Sequence, residues 1–292
     1  MPYVFSYFTG NGEDGLHLAG SRDGLTWKPL RAGRPFLAPS VGGKLMRDPC
    51  LCAGPDGMWH LVHTTGWWDR GIGVAHSANL IDWSAPRSVP VMEHEPGALN
   101  AWAPECVWDP ATRRFVVFWA STIPGRFPET DATGDPGEGG TRCNHRMYRS
   151  TTTDFVHWSP TELHYDGGFN VIDATLVRDG GRWRMIVKDE TKEPVARKHL
   201  RVVEGKGPTG PWQSAGPAFT PDWVEGPSVI RVGREWFVLY DAYTRGRYEG
   251  SRTRDFKHFE SISDKLSFPP GARHGTAVAV AESVLARLEA LR

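Results

Sequence analysis

Five ionisable side chains, each at the start of an apolar stretch, are the residues of this chain best suited to proton transfer. They recur at intervals of 49 to 68 residues along the 292-residue sequence and are Asp48, Glu105, Asp173, Glu225 and His274. Carboxyl and imidazole groups can give protons to a bound molecule or take them from it, and carboxyls close to one another push their pKa values apart. This chemistry requires a fold that brings the five side chains into one pocket.

The segments that follow these residues indicate such a fold. Each consists of strand-like stretches and a turn that ends in an aromatic residue, namely Trp27, Trp83, Trp158, Trp212 or Phe259. A repeat of this length is typical of propeller blades, and the first strand of each blade lines a central channel. The sequence therefore predicts an all-β five-bladed propeller with the five ionisable residues at equivalent points around the channel.

The predicted ring closes by pairing the two ends of the chain. The strand after His274 is expected to share a blade with residues 3–30, which would hide both sheet edges. Residues 283–291 predict a short helix. Residues 122–144 lack an apolar period and predict a rim loop over the channel mouth. Residues 1–292 are thus expected to form a single propeller domain.

Charge and composition narrow the class of partner. The 34 basic and 34 acidic residues cancel and no Lys/Arg run occurs, so neither nucleic acid nor an anionic membrane is an expected partner. The 13 tryptophans exceed what a β core of this size needs, and spare tryptophans often stack on sugars. The composition therefore predicts an uncharged partner, and a sugar is one such partner.

The sequence also gives expectations for the cellular location of the protein and for the state of its cysteines. The start of the chain carries no signal-peptide pattern, which predicts a cytoplasmic protein, or a secreted one if a leader has been removed. The four cysteines, Cys50, Cys52, Cys106 and Cys143, show no zinc-ligand spacing and are expected to be buried thiols.

Five short motifs resemble the blade-start motifs of glycoside hydrolase family 43. They are Arg47-Asp48-Pro49, Trp102-Ala103-Pro104-Glu105, Ile172-Asp173, Glu225-Gly226-Pro227 and Arg273-His274-Gly275-Thr276. Several motifs in the family's order are more specific than any one of them. The resemblance implies a five-bladed glycoside hydrolase that inverts the anomeric configuration. Arg47, where a small residue is frequent, and Ala174, where proline is frequent, depart from the common pattern and blur the subfamily.

The resemblance also implies three catalytic carboxyl groups. Asp48 would be the general base that activates water, Glu225 the general acid that protonates the leaving oxygen, and Asp173 the residue that orients and tunes the acid. Inversion needs base and acid carboxyls about 6.5–9.5 Å apart, so that a water fits between base and sugar. A neighbouring carboxylate at Asp173 is expected to raise the pKa of Glu225.

Further residues are predicted to bind the sugar. The candidates are Trp102, Glu105, Arg273, His274, Trp68 and Glu190, with Trp67 and Trp223 as weaker stacking candidates. For Glu190, which lies beyond a second strand, a solvated turn is the alternative, and for Glu105 it is a rim salt bridge.

No cofactor is required by this reading. The resemblance allows a structural calcium ion in the central channel, with His274 as a ligand either directly or through water. One histidine without a second ligand nearby in the sequence does not fix a metal's identity. The calcium ion is therefore an optional expectation.

Three functions remain open on the sequence alone. The favoured one is an exo-acting glycosidase that releases α-L-arabinofuranose, or next β-D-xylose, from plant-type oligosaccharides. A non-catalytic carbohydrate-binding propeller and a glycoside phosphorylase, whose phosphate Arg47 and Arg273 would hold, form the second group. A protein-interaction propeller is the third, because fold does not determine function.

Overall fold

Nineteen β-strands and one α-helix make up the regular structure of the computed structural model, which describes residues 1–137 and 140–291. In chain order they are β1 (Tyr3–Phe8), β2 (His17–Ser21), β3 (Lys28–Pro29), β4 (Arg47–Ala53), β5 (Trp59–Thr64), β6 (Ile72–Ser77), β7 (Arg87–Val89), β8 (Trp102–Asp109), β9 (Arg114–Thr122), β10 (His145–Thr152), β11 (Glu162–Tyr165), β12 (Val171–Asp179), β13 (Arg182–Asp189), β14 (His199–Gly205), β15 (Glu225–Val232), β16 (Glu235–Ala242), β17 (Arg247–Thr253), β18 (Glu260–Ser261), β19 (Arg273–Ala279) and α1 (Glu282–Glu289). No helix in the described residues is long and apolar enough to cross a membrane.

The strands form five antiparallel sheets, which are the blades of a propeller. Blade 1 is β4–β7, blade 2 is β8–β11, blade 3 is β12–β14, blade 4 is β15–β18, and blade 5 is β19 followed by β1–β3. The first strands of neighbouring blades, β4, β8, β12, β15 and β19, lie beside one another around the ring. The predicted five-bladed propeller is confirmed.

Blade 5 closes the ring with both ends of the chain, as the sequence predicts. Strand β19 pairs antiparallel with β1, from Tyr3 opposite Ala279 to Phe8 opposite Arg273. The hydroxyl of Ser6 in β1 donates a 2.5 Å hydrogen bond to the carbonyl of Pro49 in blade 1. The closing blade is therefore bonded both within itself and to its neighbour.

Apolar side chains fill the space between neighbouring blades. The described residues form five buried clusters, one at each blade junction. Alternation along a strand supplies two junctions at once: in β1, Val4 packs towards blade 1, whereas Phe5 and Tyr7 pack towards blade 4. All four cysteines are buried free thiols, as expected.

The predicted C-terminal helix is present as α1 and covers the junction of blades 5 and 1. Its Leu285 and Leu288 are fully buried and join Val4 and Leu18 in one cluster. The helix therefore packs over the junction at which the two ends of the chain meet.

Four blades share one kind of turn after their third strand. In each, a side-chain oxygen of Asp23, Asn79, Asp154 or Asp255 accepts two backbone N–H groups. Such Asx turns fix the chain reversal locally. Blade 3 lacks this residue in the Pro208–Trp212 turn, and isolated bridges replace its fourth strand.

The segment between β9 and β10 is the longest inter-strand connection of blade 2. A 3₁₀ turn at Pro128–Thr130 is held by the fully buried Arg146, which donates to Thr130 Oγ1 at 2.9 Å and to Asp166 at 2.6 Å. Residues 138 and 139 of the predicted rim loop lie outside the described residues. The described part reaches the pocket at the channel mouth, as set out below.

Candidate active site

Every first strand carries the same irregularity where it reaches the channel. Three residue steps of that strand span two steps of its neighbour, as at Arg47 to Cys50 opposite Thr64 to Val62. The equivalent spans are 102–105, 172–175, 225–228 and 273–276. A β-bulge of this kind bends the strand and redirects its side chains. Five bulges therefore shape the channel wall.

The second residue of four bulges has a left-handed backbone. The φ angles are 51° at Asp48, 46° at Ala103, 51° at Asp173 and 56° at Gly226. Residues other than glycine adopt this conformation uncommonly, aspartate more readily than most, and such residues occur in turns and at functional sites. The two aspartates are thus held in an unusual conformation by the blades around them.

The bulges sort the channel residues into three layers. The rim layer is Arg47, Trp102, Ile172, Glu225 and Arg273; the middle layer is Asp48, Ala103, Asp173, Gly226 and His274; the deep layer is Cys50, Glu105, Thr175, Ser228 and Thr276. The five ionisable residues therefore do not occupy equivalent positions in their strands, and this part of the prediction is wrong. Only Asp48, Asp173 and His274 share a layer, while Glu225 lies one residue nearer the mouth and Glu105 two residues deeper.

A cavity of about 360 Å³ occupies the mouth of the channel. Eight predicted site residues line it, namely Asp48, Asp173, Glu225, Trp102, Arg273, His274, Trp68 and Glu190, and so does Trp67. Asp135, Pro136 and Cys143 of the segment between β9 and β10 also line it, which agrees with a rim loop at this position. Four of the five ionisable residues that the sequence predicts to converge therefore line one cavity in the described structure.

Glu105 is not among the described residues that line this cavity. Its carboxylate lies in the deep layer, where Thr175 donates a 2.8 Å hydrogen bond and Thr276 a 3.2 Å one. Burial raises the pKa of Glu105 to about 7, although both threonines and His274 oppose the shift. The structure places it beneath the pocket rather than on the sugar-facing wall.

Asp48 is held as a carboxylate. Thr64 donates to Oδ2 at 2.7 Å, and the Nδ1 atom of His274 lies 3.2 Å from Oδ1. Burial alone would raise the pKa of Asp48, but the charge and hydrogen bond of His274, with Arg47 and Thr64, outweigh it and lower the pKa to about 2. An ionised carboxylate at neutral pH can accept a proton.

Asp173 has the opposite protonation preference. It is 5% exposed, and the backbone N–H of Gly226 donates to its Oδ2 at 3.2 Å. Burial raises the pKa of Asp173 to about 6, and the charges of Glu225 and Asp48 add to this against the opposing effects of His274 and Lys188. Asp173 is the pocket aspartate that most readily carries a proton.

Glu225 is gripped by two cations. Arg273 Nη2 donates to Oε1 at 2.9 Å, and Lys188 Nζ lies 3.3 Å from Oε2. Burial would raise the pKa of Glu225, but Lys188, His274 and Arg273 together lower it. The expectation of a raised pKa at Glu225 is therefore wrong for the free protein, because Lys188, which the motifs do not include, and Arg273, whose contact with Glu225 they do not show, lie beside the carboxyl.

Three residues that the motifs did not indicate organise this pocket. Thr64, Lys188 and Asp241 sit opposite Arg47, Ile172 and Glu225 in the second strands of blades 1, 3 and 4. Asp241 is 1% exposed and accepts a 2.7 Å hydrogen bond from Arg273. The signal common to all three is that each is paired in register with a rim residue on the first strand of its blade.

His274 does not offer the lone pairs of a metal ligand. Its Nδ1 lies 3.2 Å from Asp48 and 3.9 Å from Asp173, and these carboxylates raise its pKa to about 9 against the effect of burial. An imidazolium ring has no free nitrogen lone pair. In residues 1–137 and 140–291 no group of three or more His, Cys, Asp or Glu side chains is placed to hold a metal ion. In the metal-free protein His274 is thus paired with two carboxylates, and a calcium ion in the channel, with His274 as a direct or water-mediated ligand, stays a prediction.

Aromatic side chains form one side of the pocket mouth. Trp102 Nε1 donates to the carbonyl of Trp67 at 2.6 Å, and the Trp102 ring lies 4.9 Å from that of His145. Trp67 and Trp68 are 44% and 37% exposed. Exposed aromatic faces fixed at a pocket mouth suit stacking against the C–H face of a sugar. Trp223 is equally exposed but is absent from the cavity wall of the described structure.

The fold and site define a class of protein: a five-bladed propeller with several carboxyl groups around one axial pocket, as glycoside hydrolysis requires. The profile of a family described as a probable glycosyl hydrolase domain, related to glycoside hydrolase family 43, matches residues 1–285. The chain belongs to this family.

Two kinds of relative accompany this match. An α-L-arabinofuranosidase of Bifidobacterium longum subsp. longum is 22% identical over 335 residues, which is 90% of this chain but only 31% of that protein's length. A thermostable family-43 glycoside hydrolase superposes with a TM-score of 0.61 at 16% identity, covering 82% of this chain and 81% of that one.

Two further solved structures share the fold. An α-L-arabinofuranosidase from Lactobacillus brevis has a TM-score of 0.59 and 15% identity over 78% of this chain and 74% of its own. A xylan β-1,4-xylosidase from Bacillus halodurans has a TM-score of 0.59 and 17% identity over 84% of this chain and 48% of its own. At these identities the likeness is one of fold.

Gly226 is expected to be indispensable to the middle layer. A Cβ atom there would lie 2.4 Å from two ring atoms of His274, in addition to the strain at φ 56°. Gly233→Ala is the matched control, because its φ is 59° and nothing lies within 4 Å of its Cβ position. Urea unfolding should show a loss of about 1–2 kcal/mol for Gly233→Ala and about 1–3 kcal/mol more for Gly226→Ala. Equal losses would mean that His274 moves aside freely.

Proposed function

We propose that this chain is an inverting, exo-acting glycoside hydrolase that releases α-L-arabinofuranose, or failing that β-D-xylose, from plant-type oligosaccharides. In this proposal Asp48 is the general base, Glu225 the general acid and Asp173 the residue that tunes the acid. The observation that carries it is the pairing of an ionised carboxylate on blade 1 with a second carboxyl on blade 4 across one small pocket.

Asp48 has the properties of the base. It is ionised at neutral pH, and its two fixed partners, Thr64 and His274, orient its oxygens and leave lone pairs for a water molecule. As the water attacks the anomeric carbon, Asp48 takes its proton. His274, placed against the same carboxylate, holds it in position during this transfer.

Glu225 must carry a proton when the glycosidic bond breaks. In the free protein Asp173, with a pKa of about 6, is the more readily protonated of the two carboxyls, so a proton taken up by the pair rests first on Asp173. A leaving-group oxygen that accepts a hydrogen bond from Glu225 favours the state in which Glu225 is protonated and Asp173 is ionised beside His274. Substrate binding thus moves the proton to where it is used.

Each turnover breaks one bond to the anomeric carbon and forms another. The bond between the anomeric carbon and the leaving oxygen breaks, and Glu225 gives its proton to that oxygen. Water bonds to the opposite face of the anomeric carbon, and Asp48 takes a proton from it. Solvent afterwards removes the proton from Asp48 and returns one to the pair formed by Glu225 and Asp173. The free sugar has the inverted configuration.

The size and walls of the pocket support removal of a terminal sugar. A cavity of about 360 Å³ is at the small end of the range for ligand pockets, about 300–1,000 Å³. Trp68 and Trp102 can stack on one sugar ring at its mouth. Relatives named arabinofuranosidase and xylosidase, in sequence or in fold, support the order in which the two sugars are proposed.

The charge pairing in the pocket favours water over phosphate as the nucleophile. Arg273 contacts Glu225 and Asp241, and Lys188 contacts Glu190 and Glu225. Arg47 donates a hydrogen bond to Asn11 and lies 4.2 Å from the Trp67 ring. No carboxylate of the described residues lies within 4.0 Å of this arginine, so it is the pocket arginine without an ion pair there. One such cation is a poor phosphate site.

Glu225→Gln should separate substrates by their leaving group. Hydrolysis of methyl α-L-arabinofuranoside should fall by about 10²–10⁴-fold, the usual contribution of a general acid. The 4-nitrophenyl glycoside should lose far less, because its leaving group needs little protonation. Steady-state kcat/KM on both substrates is the measurement, with Glu260→Gln on the exposed β18 as the control. Equal losses on both substrates would contradict the acid role.

Asp48→Asn should abolish turnover whatever the leaving group. We expect kcat/KM to fall by about 10²–10⁴-fold on both methyl and 4-nitrophenyl substrates, because water activation is needed for each, while Asp82→Asn in an exposed turn of blade 1 should behave like the wild type. A panel of 4-nitrophenyl glycosides, assayed with and without phosphate, names the sugar and the nucleophile. Turnover only with phosphate would make the protein a phosphorylase, and binding without turnover would make it a carbohydrate-binding propeller.

A further inference from the structure

A chain of alternating charges runs from the rim loop to Glu225. Lys188, which is 1% exposed, lies 2.7 Å from Glu190 Oε2 and 3.3 Å from Glu225 Oε2. Lys198, which is 3% exposed, lies 2.5 Å from Glu190 Oε1 and also pairs with Asp135 of the rim loop. Four ion pairs thus connect the proposed acid to the segment over the pocket.

Glu190 is the centre of this chain of charges. Each of its two oxygens contacts a different buried lysine, and the residue is only 9% exposed. The two lysines thus fix the orientation of the carboxylate from both of its oxygens. The solvated turn considered for Glu190 does not fit, because the residue is buried and paired.

The grip on Glu225 conflicts with its proposed role. Arg273 and Lys188 each face one of its oxygens, and a carboxyl that holds a proton cannot satisfy two cations at once. One of the two contacts must loosen before Glu225 can donate a proton. The lysine contact is the longer, at 3.3 Å against 2.9 Å, and the same Lys188 already lies closer to Glu190, at 2.7 Å.

Lys188 also has a second stabilising neighbour in Tyr243, which lines the same cavity. Its Nζ lies 5.0 Å from the centroid of the Tyr243 ring, within the range of a cation–π contact. With Glu190 and Tyr243 as partners, Lys188 stays paired when it leaves Glu225. Arg273, by contrast, is fixed by the buried Asp241 at 2.7 Å in a position that keeps it against Glu225.

We propose that Glu190, held by Lys198 and through it by Asp135, is a positioning residue that draws Lys188 away from Glu225 so that Glu225 can carry the proton it donates. This inference rests on the acid role proposed for Glu225. It gives the rim loop a part in acid catalysis, since Asp135 fixes Lys198 and Lys198 fixes Glu190.

A double-mutant cycle at positions 188 and 190 tests it. Glu190→Gln leaves Lys188 with Glu225 as its one remaining carboxylate partner among the described residues, so Glu225 should stay ionised. The loss in kcat/KM should be at least tenfold larger on methyl than on 4-nitrophenyl α-L-arabinofuranoside. Adding Lys188→Met removes the surplus charge, and the double variant should regain most of that selective loss.

Two further variants serve as controls. Lys192→Met removes the other lysine that contacts Asp135, at 2.6 Å, but Lys192 touches neither Glu190 nor Glu225 in the described structure, so its methyl to 4-nitrophenyl ratio should equal that of the wild type. Asp135→Asn, on a side chain that is 38% exposed, should shift the ratio in the same direction as Glu190→Gln but less. It also provides the test should Glu190→Gln fail to fold.

The opposing outcomes are equally definite. Equal losses on both substrates after Glu190→Gln, or losses that simply add in the double variant, would overturn the inference, because a structural or sugar-binding role predicts those results. A wild type that hydrolyses no glycoside would instead refute the proposed function. Selective loss in Glu225→Gln without selective loss in Glu190→Gln and Asp135→Asn would leave the function standing and remove Glu190 from it.

Discussion

The bulge that recurs in the first strand of all five blades is the constraint on which the site depends. Without its extra residue, alternation along a strand would send successive side chains to opposite blade junctions, and none would point down the axis. The bulge turns the chain at Asp48 and Asp173, through a left-handed backbone, so that both carboxylates face one pocket. The paired strands and the apolar junctions on either side stabilise this strained backbone.

Charge balance is the second constraint, and it sets which carboxyl is ionised and which carries a proton more readily. Five acidic side chains line a pocket that would tolerate few uncompensated charges, and Arg273, Lys188, Lys198 and His274 are distributed among them. His274 Nδ1 lies nearer to Asp48, at 3.2 Å, than to Asp173, at 3.9 Å, and keeps Asp48 ionised, whereas burial and acidic neighbours outweigh the cations at Asp173. The separation of base from proton carrier thus arises from which cation each carboxyl meets.

The sequence predicted the blades, the closing strand, the C-terminal helix and most pocket-lining residues, because these leave local marks in apolar alternation and turn residues. It misplaced Glu105 and Glu225 by one or two positions, since a bulge changes register without changing composition. Thr64, Lys188 and Asp241 were missed because they stand opposite the motif residues on neighbouring strands, so their importance comes from pairing. The direction of the Glu225 pKa shift depends on Lys188, which the motifs do not include, and on the contact of Arg273 with Glu225, which they do not show.

The stereochemical course of hydrolysis tests the central claim most directly. Time-resolved ¹H NMR of 4-nitrophenyl α-L-arabinofuranoside hydrolysis in D₂O, recorded before mutarotation, identifies the first anomer released. With Asp48 delivering water to the face opposite the leaving group, the account predicts β-L-arabinose first. Release of the α-anomer would contradict it, because retention requires a covalent intermediate and a nucleophilic carboxylate in place of a general base.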